Sequence, residues 1–571
     1  MEILRRALDD EQFAVASIQD ENLLVLAPPG SGKTRVLVNA ATHRLRQRPY
    51  STTRVMCLTF STEAAREMRR RLNDPRLQAP AARSSISNYH QLSASLLRSH
   101  GHLLGWPRDA GLLVPPDNLR LIEQVLRDLR IHANARNVAG AISNLKGRRT
   151  GAGPLPAATL QKIRERYDHE LHHRYLRDFD DLVIDATQLL RTTPALRTLL
   201  HDAYPFVFID ELQDTSLLQL DLLDELIGDN TRVFAVADDD QMIYGWRDAH
   251  PANIAEFVER FDIREKVLTG NYRCPPRIVA AANAVIVANQ RRRADLMTSM
   301  VTTHEGEVLL GGAYGEDAQG KLVGRVVQQA LDEGVPAGEI AVLAPVRFLF
   351  PPVYAALDDR RIPYVKLGSG ELRAVPVVAV LGLCLMGLAG GTITEGDLAD
   401  TPRWPGEPTI DLDGIHKTVE TTRRLPPRAM LPELLAALGL GSLRKPTRDA
   451  RELRLLTRMV RRAIEDSEPA STDSLARTML LEWDRLEAAA LHAEKAVKVM
   501  TSYGAKGTEY DVVVLPFLND RLVPYERRGS TVDWEEARRL FYVALTRARR
   551  RVVLLRDLTQ PNSSLLELLT E

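Results

Sequence analysis

Cysteine is scarce in this chain, with three residues in 571 (Cys57, Cys274 and Cys384) and no pair spaced as CxxC. This scarcity argues against a disulfide framework, a zinc ribbon and a cysteine-ligated iron–sulfur cluster, and it is typical of a reducing cytoplasm. Net charge is also lacking, because 75 basic side chains balance 75 acidic ones. That balance excludes a histone-like basic protein, but not a protein whose basic residues are confined to one groove.

Long hydrophobic runs are nearly absent as well. The uncharged stretch 374–394 is long enough to span a membrane, but it contains a proline and several glycines, and no second such stretch exists. The N-terminus, MEILRRALDDEQ, has no apolar core of the signal-peptide type. We therefore predict a cytoplasmic chain without membrane contact, in which 374–394 forms a helix buried between domains.

Two α/β patterns follow one another along the chain, and each is interrupted by a helical segment. Short β-rich runs alternate with helical stretches, which is the pattern of a parallel sheet covered by helices. The interruptions lie between 106 and 177, where the sequence is helical and basic, and between 388 and 494, where the strand-like runs disappear. The predicted strands are Leu23–Ala27, Val55–Phe60, Phe206–Ile209 and Val233–Ala237, then Val308–Leu310, Ile340–Leu343, Val497–Thr501, Val512–Leu515 and Val552–Leu555.

The segment LLVLAPPGSGKTR at 23–35 is the strongest local motif. A β-run enters a turn of small residues, and Gly-Lys-Thr then opens a helix, so that backbone N–H groups form a nest for phosphates. Gly30 and Gly32 allow close approach of the backbone, Lys33 supplies a positive charge, and Thr34 offers a hydroxyl to Mg²⁺. Ala27 occupies the position where the usual pattern has its first glycine. The motif predicts a nucleotide site.

In FVFIDELQD at 206–214, the carboxylates of Asp210 and Glu211 lie at the end of a predicted strand. An acidic pair that merely caps the strand is the alternative interpretation. Together with the phosphate loop, however, Asp210 is predicted to hold Mg²⁺ through water, and Glu211 to polarise the attacking water.

Further segments resemble, in order along the chain, the motifs of the UvrD/Rep-type superfamily 1 DNA helicases of the 3′→5′ branch. They are LDDEQFAVA at 8–16, LTFSTEAAREM at 58–68, SNYHQL at 87–92, DELQDTSLLQ at 210–219, ADDDQMIYGWRDA at 237–249, NYRCPPRI at 271–278, MTSYGAKGTEYDVVVL at 500–515 and EEARRLFYVALTRAR at 535–549. Tyr503 and Ala505 depart from the family, which commonly has His and Ser there.

The resemblance implies an α/β fold of two RecA-like parallel-sheet P-loop motor domains with ATP in the cleft between them. Each motor domain is interrupted by a mainly helical insertion. The predicted boundaries are 1–100 and 178–265 for the first motor domain, 101–177 for its insertion, 266–387 and 495–571 for the second motor domain, and 388–494 for its short insertion.

The same resemblance assigns roles around ATP and Mg²⁺. Gln241 is expected to sense the γ-phosphate, and Arg273 and Arg547 to stabilise charge on the transferring phosphoryl group. Gln12 is expected to read adenine, Tyr272 to stack on it, and Glu509 to contact the ribose. The residues expected to surround the nucleotide are Gln12, Ala27, Pro28, Pro29, Gly30, Ser31, Gly32, Lys33, Thr34, Arg35, Tyr272 and Glu509.

Single-stranded DNA is the expected partner, bound on aromatic platforms that accept any sequence. The predicted DNA contacts are Phe60, His90, Tyr244, Trp246 and Arg247. Packing of Trp246 in the core is the alternative for that residue. The basic runs LKGRR at 145–149 and RRR at 291–293 are interpreted equally well as phosphate contacts or as solvated helix faces.

The function that these motifs imply is an ATP-driven single-stranded DNA translocase and 3′→5′ helicase, in repair, recombination or defence. It would act on single strands and single-strand/duplex junctions, associated with the nucleoid, with a nuclease or repair protein as a further partner. The alternative is a DNA-activated ATPase subunit that regulates a separate nuclease in anti-phage defence.

Overall fold

The fold is taken from a computed structural model of the chain. It describes residues 2–47, 54–74, 83–107, 110–113, 115–147, 155–243, 245, 250–290, 292–367, 376–391, 393, 411–438, 448–481, 483, 496–525 and 532–569. Among these residues, no helix is both long and apolar enough to cross a membrane.

The strands are short and are spread over both halves of the chain. They are β1 (Leu23–Leu26), β2 (Val55–Thr59), β3 (Ser84–Asn88), β4 (Gly111–Leu112), β5 (Leu176–Arg177), β6 (Phe206–Ile209), β7 (Arg232–Ala237), β8 (Arg264–Val267), β9 (Gly270–Asn271), β10 (Thr298–Ser299), β11 (Glu307–Ala313), β12 (Ile340–Ala344), β13 (Tyr364–Leu367), β14 (Val497–Thr501), β15 (Tyr510–Leu515) and β16 (Ala548–Asp557).

Helices connect and cover these strands. They are α1 (Glu2–Ala7), α2 (Asp10–Ala16), α3 (Lys33–Arg46), α4 (Thr62–Leu72), α5 (Tyr89–His100), α6 (Pro115–Asp128), α7 (Ala135–Lys146), α8 (Ala157–His173), α9 (Phe179–Thr192), α10 (Pro194–Ala203), α11 (Leu217–Leu226), α12 (Pro251–Arg260), α13 (Pro276–Ile286), α14 (Glu316–Asp332), α15 (Pro351–Asp359), α16 (Pro376–Leu388), α17 (Leu412–Arg423), α18 (Met430–Ala437), α19 (Arg448–Ser467), α20 (Thr472–Leu481), α21 (Trp534–Leu545) and α22 (Ser564–Glu567).

Two six-stranded parallel sheets form the framework. The first sheet has the order β3-β2-β6-β7-β1-β8 and the second the order β11-β16-β15-β12-β14-β13. We call each sheet with its covering helices the first and the second sheet domain. Central strands such as β1 and β12 are buried along their whole length, because helices cover both faces of a parallel sheet. The predicted fold class is confirmed.

All the strands predicted from the sequence are present, within a few residues of their expected ends. The strands β3, β8 and β13 were not predicted, and neither were the two-residue strands of the pairs β4–β5 and β9–β10. Each of the three lies at an edge of its sheet. Edge strands have a less continuous apolar pattern, as in SSISN and REKV, because one side of the strand faces solvent.

Helical segments interrupt both sheet domains. In the first, α6, α7 and α8 pack around a separate core that includes Val125, Ile163 and Tyr167. In the second, helices α17 to α20 share a core with α16. Helix α16 lies within the uncharged stretch 374–394, and most of its described side chains are buried in this core.

Candidate functional site

Three strand ends of the first sheet place polar groups at one edge. Strands β6, β7 and β1 are neighbours and run parallel. The chain leaves β1 into the loop 27–32, leaves β6 at Asp210 and leaves β7 at Asp238. The carboxyl ends of parallel strands lie on the same edge of a sheet, where such folds bind ligands. The predicted phosphate loop and the predicted carboxylates therefore meet.

The loop 27–32 depends on its glycines. Gly30 and Gly32 have φ angles of 71° and 80°, in the left-handed region that favours glycine. A Cβ on Gly30 would lie 2.7 Å from both the Cβ of Arg273 and the Oδ1 of Asn271. Asn271 Nδ2 also donates to the carbonyl oxygen of Pro29 at 2.7 Å. The segment after β8, which contains Asn271 and Arg273, therefore packs directly against this loop.

Lys33 begins α3 directly behind this loop. Its Nζ donates to the carbonyl oxygens of Ala27 at 2.9 Å and Pro28 at 3.2 Å, and to Asp238 Oδ2 at 3.1 Å. The ammonium group is buried, at 9% exposed. The helix N-terminus and this buried cation together favour an anion in the loop.

Asp210 and Thr34 offer oxygen atoms beside the loop. The Thr34 hydroxyl donates to Asp210 Oδ2 at 2.9 Å. Burial, and then the charge of Glu211, raise the pKa of the Asp210 carboxyl to about 7. Asp238 directly follows β7, and its Oδ1 is buried and without a hydrogen-bond partner among the described residues. Carboxylate and hydroxyl oxygens are the ligands that Mg²⁺ prefers, so the donor set fits this ion.

Glu211 is held in an uncommon backbone conformation. Its φ of 53° and ψ of 44° lie in the left-handed region, which non-glycine residues adopt rarely and mostly at functional sites. Gln213 Nε2 donates to Glu211 Oε2, and Gln213 Oε1 accepts from the N–H of Asp238. Burial acts to raise the pKa of the Glu211 carboxyl, but the charges of Lys33 and Lys506 outweigh it and hold that pKa below its usual value. Glu211 is therefore an ionised base at neutral pH.

The second sheet domain contributes Arg547, which lies just before β16 and is 1% exposed. Its Nη2 donates to Gln241 Oε1 at 3.2 Å, and Gln241 Nε2 donates to Asp238 Oδ2 at 2.6 Å. Burial, and then the charge of Arg273, lower the pKa of Arg547 to about 10, which leaves it protonated at neutral pH. With the Lys33–Asp238 pair, these contacts form a continuous polar chain between the two sheet domains.

Arg273 and Glu509 face each other beside this chain. Arg273 Nε donates to Glu509 Oε2 at 2.7 Å, and Arg549 Nη1 donates to Glu509 Oε1 at 3.2 Å. Partial burial acts to raise the pKa of Glu509, but the charges of Arg273 and then Arg549 hold it below its usual value. Glu509, the predicted ribose contact, thus forms an ion pair with Arg273, one of the two arginines predicted to stabilise charge on the phosphoryl group.

A second group of predicted residues lies at the mouth of the loop. Gln12 is buried, and its Nε2 donates to the Ser31 carbonyl oxygen at 2.8 Å. Asp9 accepts from the N–H of Gln12 at 2.9 Å and from the Tyr272 hydroxyl. Tyr272 is 44% exposed, and its N–H donates to the Gly30 carbonyl oxygen at 2.9 Å. Arg35 is exposed in the first turn of α3. The structure therefore brings the predicted adenine-contacting residues together.

Lys506 is a site residue that was not predicted from the sequence. Its Nζ donates to Asp214 Oδ1 at 2.8 Å, to Asp214 Oδ2 at 2.6 Å and to the Gln241 carbonyl oxygen at 2.9 Å. Lys506 follows β14 in the second sheet domain, whereas both partners belong to the first. The motif containing Lys506 was recognised, but nothing in the sequence indicated which acidic residue it meets.

The predicted DNA contacts are only partly described. Tyr244, Trp246 and Arg247 lie outside the described residues. Phe60 directly follows β2, and His90, in the first turn of α5, packs edge-on against Phe179 with ring centroids 5.5 Å apart.

The departure at position 503 lies where the two sheet domains meet. The Tyr503 hydroxyl donates to Glu536 Oε1 at 3.4 Å, and Glu536 Oε2 lies 3.2 Å from the position of a Cβ on Gly245. Gly245 is the described residue between Tyr244 and Trp246.

The basic runs have partners that neither interpretation anticipated. Lys146 is buried and pairs with Asp178 at 2.8 Å and Asp181 at 2.7 Å, where the first insertion joins its domain. Arg292 pairs with Asp240 across the two sheet domains. For these two residues, both a phosphate contact and a solvated face are wrong.

Comparisons with known proteins agree with this geometry. The family model of the UvrD/REP helicase N-terminal domain matches residues 8–262, and that of the UvrD-like helicase C-terminal domain matches residues 410–556. The chain is 25% identical to the ATP-dependent DNA helicase PcrA of Leuconostoc citreum, over 97% of this chain and 82% of that protein. It is 26% identical to DNA helicase II of Escherichia coli (strain K12), over 96% of this chain and 84% of that protein.

Proposed function

We infer the function from the family: the chain belongs to the UvrD/REP helicase family, whose relatives here are ATP-dependent DNA helicases. We propose that it is an ATP-driven single-stranded DNA translocase and 3′→5′ helicase acting in repair, recombination or defence. The observation that supports this most is the polar chain Lys33–Asp238–Gln241–Arg547, because it links the phosphate loop of one sheet domain to a guanidinium of the other. A site completed by two domains is sensitive to their relative movement.

The phosphates of ATP bind in the loop 27–32 and at the start of α3. Lys33 exchanges its contacts with Ala27 and Pro28 for the β- and γ-phosphates. Thr34 and Asp210 would hold Mg²⁺, which would neutralise charge on the phosphate oxygens. Gln12 and Tyr272 contact adenine, Arg35 helps to hold the nucleotide beside them, and Glu509 contacts the ribose.

Glu211 orients and deprotonates the water that attacks the γ-phosphate. Its low pKa keeps it ionised, and Gln213 fixes its direction. Gln241 contacts the γ-phosphate, and Arg547 and Arg273 stabilise the charge that spreads over the oxygens of the transferring group, as an arginine finger supplied by the same chain.

Single-stranded DNA binds through Phe60, His90, Tyr244, Trp246 and Arg247. Stacking of bases on aromatic rings contributes about 1–3 kcal/mol per base and accepts any sequence, as a translocase requires. Tyr244 and Trp246 follow Gln241 by three and five residues in the sequence, so that a change at the γ-phosphate has a short covalent route to the DNA.

The direction in which the protein moves along single-stranded DNA tests this proposal. We expect a duplex with a 3′ single-stranded tail to be opened and the same duplex with a 5′ tail to remain closed, because the motifs resemble the 3′→5′ branch. The measurement is strand separation on two duplexes that differ only in tail polarity, at low salt, since phosphate contacts weaken as salt rises. A blunt duplex is the control for loading. Equal opening of both tailed duplexes, or preference for the 5′ tail, would refute the direction.

A further inference from the structure

The short turn Asp239–Gln241 is held mainly from the second sheet domain. Lys506 Nζ contacts the Gln241 carbonyl oxygen, and Arg547 contacts its side chain. The N–H of Arg293 donates to Asp239 Oδ2 at 2.6 Å. Asp240, between these two residues, is held by Arg292. Each of the three residues of the turn therefore has a partner in the other domain.

The contact between Arg292 and Asp240 is bidentate and buried. Arg292 Nε donates to Asp240 Oδ1 at 2.9 Å and to Oδ2 at 3.1 Å, and Nη2 donates to Oδ2 at 2.7 Å. The two side chains are 13% and 3% exposed. Paired hydrogen bonds of a planar guanidinium fix direction as well as distance, which a lysine at the same place does not do.

The segment before Arg292 is hydrogen-bonded to α21, the helix that leads into Arg547. The N–H of Gln290 donates to Glu535 Oε1 at 3.1 Å, and Asn289 Nδ2 donates to the Glu535 carbonyl oxygen at 3.1 Å. On the other side, Ala294 packs into the hydrophobic core of the first sheet domain. The segment 289–294 thus bridges the two domains next to the turn.

We propose that Arg292 is a positioning residue for ATP hydrolysis: by holding Asp240, it sets the place of Gln241 relative to Arg547 when the two sheet domains close. This inference rests on the proposed function and adds to it a residue outside the nucleotide site. Arg292 contacts Asp240 rather than the phosphate loop, so it acts on turnover and leaves nucleotide binding unchanged.

The test is steady-state ATP hydrolysis at saturating single-stranded DNA by Arg292→Met, Asp240→Asn and the double variant. We expect each single variant to lower kcat about 10- to 100-fold, as misplacement of a catalytic group by about 1 Å does. The KM for ATP and the dissociation constant of fluorescent ADP should stay within about twofold of wild type. The double variant should be no slower than the single variants, because the two residues act as one unit. Arg292→Lys should recover part of kcat.

Arg264→Met is the matched control. Arg264 begins β8 in the first sheet domain, and its side chain pairs with Glu21 at 2.8 Å on the surface. Its kcat should equal that of wild type, since exposed pairs contribute little.

The outcomes separate this proposal from the proposed function. An unchanged kcat in Arg292→Met, additive losses in the double variant, or an equal loss in Arg264→Met would overturn it. So would loss of nucleotide binding and of thermal stability together with kcat, which would make Arg292 structural. A wild-type chain that hydrolyses no ATP in the presence of DNA would instead contradict the proposed function.

Discussion

Glu211→Gln should bind ATP normally and lose its hydrolysis. The variant keeps the shape of the side chain but removes the negative charge that takes the proton from the attacking water. Loss of a general base lowers kcat by about 10²- to 10⁴-fold. Single-turnover hydrolysis, with the dissociation constant of a fluorescent ATP analogue measured in parallel, distinguishes chemistry from binding.

Glu225→Gln is the control for this variant. Glu225 is a carboxylate of the same sheet domain, buried and paired with Arg191 at 2.8 Å and Arg197 at 2.9 Å, away from the loop 27–32. Its loss should lower thermal stability and leave kcat unchanged. Unchanged hydrolysis in Glu211→Gln would show that another group orients the water.

Arg547→Ala should lower the maximal rate of hydrolysis by about 10³-fold or more, the range found for arginine fingers. The guanidinium is buried, donates to Gln241 and comes from the second sheet domain, so its removal takes away the contact that completes the site from that side. The measurement is kcat at saturating single-stranded DNA, together with ADP binding, which should persist because ADP lacks the group that Arg547 stabilises.

Arg551→Ala is the matched control for Arg547→Ala. Arg551 lies in β16, four residues after Arg547 in the sequence, and pairs with Glu307 and Glu333 on the surface. The control should hydrolyse ATP at the wild-type rate. A fully active Arg547→Ala variant would mean that Arg547 does not stabilise the transferring phosphoryl group.

Contiguous features of the site were predictable from the sequence. The loop 27–32, its following helix and the acidic end of β6 are local patterns, and the structure brings them together because their strands are neighbours in a parallel sheet. Interior strands were found by their apolar runs, while β3, β8 and β13 were missed at the sheet edges.

Long-range pairing was not predictable in the same way. Lys506 contacts Asp214, and Arg292 contacts Asp240, only because the two sheet domains lie against each other. A charged residue in a sequence has many possible partners, and the periodicity of its own segment gives no information about the surface of another domain. The basic run at 291–293 therefore suggested DNA or solvent when Arg292 in fact contacts a carboxylate.

The central claim is that hydrolysis is completed by the second sheet domain and is switched on by single-stranded DNA. The most direct measurement is the rate of ATP hydrolysis by the wild-type chain with and without single-stranded DNA, at low and at raised salt. The account predicts slow hydrolysis alone, many times faster hydrolysis with DNA, and loss of the stimulation as salt weakens the phosphate contacts. A rate that is the same with and without DNA at low salt would contradict it.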